Sequence, residues 1–374
     1  MKKQIFFIVI LICTIGFVSL QSYAIEDTNI SNIQQEIKDE LNSAIDDNVR
    51  DILSDIGIDG FDFENVYNVS FSSITDFFSE TLKEKIINSF SSFFELLSVI
   101  LLTGIITCIL TGNSEDEFIG IFSMVIVTLL AVNTVSSTLS AVISVLGASE
   151  KFMLVFVPVY TLIISLSGNP ASALTYNTLV IGFAEVISYF ITTGITDFLG
   201  LFYCLGISFS FNESINISRI ISSVNKIFSI ILGLAASLFT GFLSIKSVLS
   251  ASADSLSVKG IRFLIGSMIP IVGSSISDAY SSFLGSINLI KGSVAFIGII
   301  VIVIINTPII FETITYYASF CLLTYVAELI SAKKAADILK CFSCGMRMLL
   351  LVCIFEMFIM IISTGIMLSL KSGG

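Results

Sequence analysis

From residue 90 onward the chain is built from apolar runs near the length that a lipid bilayer demands. A helix needs about 20 consecutive apolar residues to cross a hydrocarbon core of roughly 30 Å. Runs at 90–110, 119–142, 152–168, 173–194, 196–211, 227–249, 293–311 and 348–370 approach or reach that length. A membrane β-barrel would instead show short segments of alternating polarity. The chain is 55% hydrophobic and 13% charged, too apolar for an ordinary soluble domain. The expected fold is therefore all-α, a polytopic helical membrane protein. Residues 313–331 read as a further span or an interfacial helix. Residues 262–290 read as one crossing, a re-entrant dip or a kinked pair, so about seven to ten apolar segments are expected across 89–374.

The first 88 residues are of another kind. Lys2 and Lys3, the apolar stretch Ile5–Leu20 and the small-x-small end Ser22-Tyr23-Ala24 have the layout of a secretory signal over 1–24. An uncleaved first anchor is the alternative, and either would carry the next segment across the membrane. The formal net charge of −11 is concentrated in residues 25–85, whereas 86–374 is nearly balanced. Within 25–88, Ile30, Ile33, Ile37, Leu41, Ala44 and Ile45 recur at helical spacing, and Val49, Ile52, Leu53 and Ile56 extend the pattern. A region this small buries little core alone, so docking on a partner or on the membrane domain is expected. Its acidity disfavours nucleic acid and repels anionic headgroups.

Residues 259–291 are hydrophobic yet unlike a plain span. Gly266 and Pro270 lie near the start, and Gly273, Ser277, Ser281 and Gly285 recur at four-residue spacing with Asp278 on the neighbouring stripe. Lipid cannot satisfy such a face, so it should meet helices, a re-entrant fold or water. Phe283 and Ile287 lie on the opposite, apolar face. These seven small or polar positions are the candidate pore or helix-packing residues.

Catalytic chemistry is hard to place. The chain has no histidine, which excludes Ser-His-Asp and Cys-His machinery and zinc-protease motifs. No phosphate-binding G-x-x-x-x-G-K-[ST] loop occurs. The pair Cys341 and Cys344 forms a C-x-x-C, readable as a redox pair or half a zinc site, but no second pair supplies the other ligands. We expect no enzymatic activity, no cofactor and no metal. Acidic residues inside apolar runs are expensive and face a bundle interior or a water path by default. Glu185 and Glu356 sit nearest the centres of their runs, while Glu95, Asp197, Glu312 and Glu328 lie nearer the ends.

The densest basic loop holds Lys333, Lys334, Lys340 and Arg347, with Arg219 and Lys226 in a second, and both should be cytoplasmic. An exported N-terminal region fits if 262–290 and 313–331 both cross the membrane or neither does.

The block K-G-I-R-F-x-I-G-x-x-I-P-I-V-G-x-x-I-S-D-A, Lys259 to Ala279, resembles the stage III sporulation protein AE family. The stretch FVPVYTLIISLSGNPASALTY, 156–176, is similar to it as well, and the resemblance covers essentially the whole chain. After Gly273 this sequence is serine-rich where the family is glycine-rich. The resemblance implies a subunit of a secretion-like complex linking mother cell and forespore. It implies residence in the mother-cell-derived membrane around the forespore, with the N-terminal region exported. It also implies a companion ATPase and ring-forming proteins as partners. Two other readings compete: an ion-coupled secondary transporter using Glu185, Glu356 and Asp278, and a structural membrane scaffold.

Overall fold

The computed structural model describes residues 27–58, 60–61, 71–109, 115–210, 217–268 and 273–369, with the side chains of 27–34, 71, 107–109, 115–117, 188, 191–193, 257 and 261–280 outside the description. No strand occurs among the described residues. The helices are α1 (Asp27–Ser43), α2 (Asp47–Asp55), α3 (Phe71–Ile109), α4 (Glu115–Leu166), α5 (Pro170–Tyr189), α6 (Thr196–Ser210), α7 (Ile217–Met268), α8 (Gly273–Leu329) and α9 (Lys333–Leu368). A π-helical segment, Phe190–Ile195, joins α5 to α6. Five helices, α3, α4, α7, α8 and α9, are long and apolar enough to cross a membrane.

Pairs of contacts along the chain fix the directions of these helices. Lys85 and Glu312 form an ion pair at 2.9 Å, and Gly104 abuts Ile330, so α3 and α8 run parallel. Asn306 Nδ2 donates to Ser149 Oγ at 3.0 Å and Gly298 abuts Phe156, so α4 and α8 run antiparallel. Thr175 faces Ser250, Phe183 faces Phe239 and Phe198 faces Phe228, which lays α5, the π segment and α6 as one path antiparallel to α7. With that path, the five long helices make six alternating legs. One end of the bundle gathers the close of α3, the start of α4 and the α8–α9 turn, where Gly120 abuts Lys334. The other end gathers the α4–α5 turn, the late part of α7 and the early part of α8.

The structure corrects the expected segmentation in two places. The runs 119–142 and 152–168 lie on one uninterrupted helix, α4, of 52 residues. The runs 293–311 and 313–331 lie on α8, of 57 residues. At 1.5 Å per residue these helices are about 78 Å and about 85 Å long, more than twice the hydrocarbon core. The physical reason is visible in the side chains. The polar residues that suggested a break near 149 turn inward: buried Ser149 meets buried Asn306. Asn306 also donates to the Ile302 carbonyl at 2.9 Å, and Thr307 Oγ1 donates to the Val303 carbonyl at 2.7 Å, just before Pro308. Neighbouring helices and side-chain bonds let a membrane helix run through such residues.

The N-terminal helices form a small unit against the bundle. The single extended helix suggested by periodicity is broken at Ala44–Asp46 into α1 and α2. Ile37, Leu41, Ile45, Val49 and Leu53 are buried. Asn42 ties the unit together: its Oδ1 accepts from the Phe61 N–H at 3.0 Å and its carbonyl accepts from Arg50 Nη2 at 2.9 Å. α1 packs on α4 and α2 on α8.

Candidate functional site

Two features of the bundle interior stand out, a capped junction at one end and a polar belt between the long helices.

The junction begins with the sequence Ser167-Gly168-Asn169-Pro170. Gly168 adopts φ 87°, a left-handed conformation open to glycine at little cost. Its N–H bonds to the Ser165 carbonyl at 3.1 Å, and the Asn169 N–H bonds to the Ile164 carbonyl at 3.2 Å, which closes α4. Pro170 then opens α5 at a position where no intrahelical N–H is needed. Asn169 precedes the helix but does not cap it; its amide turns back to Ser167, at 3.3 Å from the carbonyl and 3.2 Å from Oγ. The cap arrives from α7. Asp254 Oδ1 accepts from the Ala171 N–H at 2.8 Å, and Oδ2 accepts from the Ser172 N–H at 3.0 Å. Asp254 is 1% exposed, and the positive end of the α5 dipole compensates its charge. A Cβ on Gly168 would lie 3.1 Å from Val258 and 3.6 Å from Leu284. The 156–176 stretch and the flanks of the 259–291 block therefore meet in space.

The belt lies further along. Glu150 of α4 and Glu356 of α9 line a cavity of about 170 Å³, whose other walls include Leu146, Met153, Ile187 and Ile359. Glu356 is 5% exposed, and its Oε2 has no hydrogen-bond partner. A carboxyl oxygen left unpaired in so apolar a wall is costly.

The candidates from the sequence distribute as follows. Glu356 lies in the cavity, whereas Glu185 is exposed on α5 and does not line it. Ser281 is half-buried; Gly285 is exposed, with open space where a Cβ would stand. Ile287 is buried, and Phe283 packs against the core. Pro270 lies outside the described residues. Gly266, Gly273, Ser277 and Asp278 fall on helical backbone whose side chains are outside the description. Glu312 pairs with Lys85, and Glu328 pairs with Lys340 at 2.8 Å; Glu95 and Asp197 are exposed. Cys341 and Cys344 are buried free thiols, Cys341 against Gly206 of α6. Asp254 and Glu150 escaped the sequence reading. Asp254 sits in a serine-rich stretch whose spacing reveals no partner 82 residues away. Glu150 falls between the runs 119–142 and 152–168, outside both.

Alternating apolar helices around an internal polar belt define a multi-pass membrane protein. Which one is settled by comparison: the stage III sporulation protein AE family model matches residues 62–370, and the chain belongs to that family, a family of sporulation. It is similar to the stage III sporulation protein AE of Bacillus subtilis (strain 168), at 21% identity over 180 residues. That alignment covers 48% of this chain and 45% of the relative, less than half of either. No solved structure matches the chain.

Proposed function

We propose that the chain is a membrane subunit of the secretion-like channel complex that links mother cell and forespore. In this reading it has no enzymatic activity of its own and works with a companion ATPase and ring-forming proteins. It resides in the mother-cell-derived membrane around the forespore. Family membership over most of the chain is the observation that carries the reading. The distribution of charge supports an exported N-terminal region. Lys226, Lys340 and Arg347 line one groove at the end that also holds Lys334, and such an end is read as cytoplasmic. α3 enters the bundle from the opposite end. The test is Asp278→Leu in the sporulating host. Spore formation should fail with the protein at its normal level, and normal spores would remove the role given to Asp278.

A second reading, an ion-coupled transporter of small solutes, is favoured by the cavity of Glu150 and Glu356. Purified protein in liposomes should then move solute without partners, and Glu356→Gln should stop it. Inertness across a broad solute panel sinks this reading and leaves the first intact.

A further inference from the structure

The basic groove at the cytoplasmic-type end bears on more than orientation. The start of α7 and the first turns of α9 enclose an open groove of about 630 Å³. Lys226, Lys340 and Arg347 line it, together with Ser222, Ser229 and Ser343. Among the described residues no acidic side chain lines it. Lys340 is engaged elsewhere, by Glu328 at 2.8 Å and Asp337 at 3.4 Å, so its charge is largely offset. Among the described residues Lys226 and Arg347 have no acidic partner within ion-pair distance, and both are exposed. Ser222 and Ser343 already donate to the Arg219 and Lys340 carbonyls, at 2.9 Å and 3.1 Å. The groove thus offers two uncompensated cations and the Ser229 hydroxyl, the chemistry that recognises a phosphate oxygen.

What lies beside the groove narrows the ligand. Ile230 belongs to its lining and is 50% exposed. From there an apolar strip continues down α7 through Ile227, Ile231 and Leu234, each more than half exposed. These residues lie in a helix apolar enough to span a membrane, so the strip faces acyl chains. A soluble anion would use the cations and leave the strip idle. A zwitterionic lipid would use the strip but bring its own cation toward Lys226 and Arg347. A ligand with an anionic phosphate head and apolar tails uses both, and basic pockets between membrane helices on the cytoplasmic side have this character.

We propose that the groove between α7 and α9 is a binding site for the headgroup of an anionic phospholipid, its acyl chains lying along Ile227, Ile231 and Leu234. The phosphate sits between Lys226 and Arg347, and the Ser229 hydroxyl donates to one of its oxygens. Lys340, held by its two acids, shapes the wall. The acidic N-terminal region does not oppose such binding, because the chain enters the bundle from the other end.

The test uses the full chain purified in a neutral detergent, with binding read by native mass spectrometry and by the thermal unfolding midpoint. The probes are phosphatidylglycerol, phosphatidylcholine and inorganic phosphate. Phosphatidylglycerol should bind and raise the midpoint, with the effect falling as salt rises. The double variant Lys226→Gln/Arg347→Gln should weaken that binding by roughly thirtyfold, about fivefold for each charge. Lys259→Gln, which removes an exposed cation from the opposite end of α7, should leave it unchanged. Equal binding of phosphatidylcholine, or undiminished phosphatidylglycerol binding in the double variant, overturns the proposal. Inorganic phosphate that matches the lipid's stabilisation shows a soluble-anion site and overturns it too. Because both residues are exposed, the double variant should keep the unliganded midpoint of the parent; if it does not, Lys226→Gln alone carries the comparison at fivefold.

Discussion

The α4–α5 turn and the α8–α9 turn solve one problem at opposite ends of the bundle by different means. Both close a long helix with the same pair of backbone bonds. At α8 the Ser331 N–H reaches the Glu328 carbonyl at 3.1 Å and the Ala332 N–H reaches the Ala327 carbonyl at 2.8 Å. Each pattern needs a left-handed residue at its centre. At the first turn that residue is glycine, a proline follows, and a buried aspartate from another helix satisfies the next two N–H groups. At the second it is Ser331, exposed, at φ 63°, and the following N-cap, Ala332, provides no side-chain bond. The difference follows the surroundings. Where Ser167, Gly168 and Asn169 are buried, every N–H must find a partner in the protein. Where the turn is open, water serves, and an imperfect residue is tolerated.

Removing the partner at the buried turn should therefore have the largest effect. Asp254→Ala strands two N–H groups and should cost about 2–3 kcal/mol, seen as a lower unfolding midpoint of the purified chain. Asp254→Asn, which can still accept one bond, should fall between that variant and the parent. Next comes Gly168→Ala. The left-handed conformation costs a side-chain-bearing residue roughly 1–2 kcal/mol, and the new Cβ would press on Val258. The smallest change has the opposite sign. Ser331→Gly should stabilise by up to about 1 kcal/mol, because relief of the left-handed strain exceeds the added chain entropy. A midpoint that falls on Ser331→Gly, or an Asp254→Ala variant as stable as the parent, would break the contrast between the two turns.

How far the sequence could be read depends on the same distinction. Gly168 and Pro170 are local punctuation, and the boundary between 152–168 and 173–194 was visible from them. The apolar runs correctly announced long helices. The gaps between 119–142 and 152–168 and at Glu312 were also read as boundaries, and there the reading failed, since distant helices satisfy the polar groups in them: Asn306 meets Ser149, and Lys85 pairs with Glu312. Asp254 failed for the converse reason: nothing near it in sequence shows that two N–H groups wait for it. Glu356 was legible because a carboxyl group at mid-run is costly wherever it points, but its cavity is made by three helices and no single run contains it.

The tight seam between α6 and α9 has a practical consequence. Tyr203 packs directly on Gly345 and Phe342, and Cys341 is locked against Gly206, so the buried thiols of Cys341 and Cys344 lie under a cover of aromatic rings. Cys204, on the same short helix, is exposed. A bulky membrane-permeant maleimide should therefore label Cys204 at once, and Cys341 and Cys344 only as fast as α6 lifts away from α9. The protein carries its own stopwatch for the opening of that seam, with an internal reference four residues before Ser208 on the outer surface.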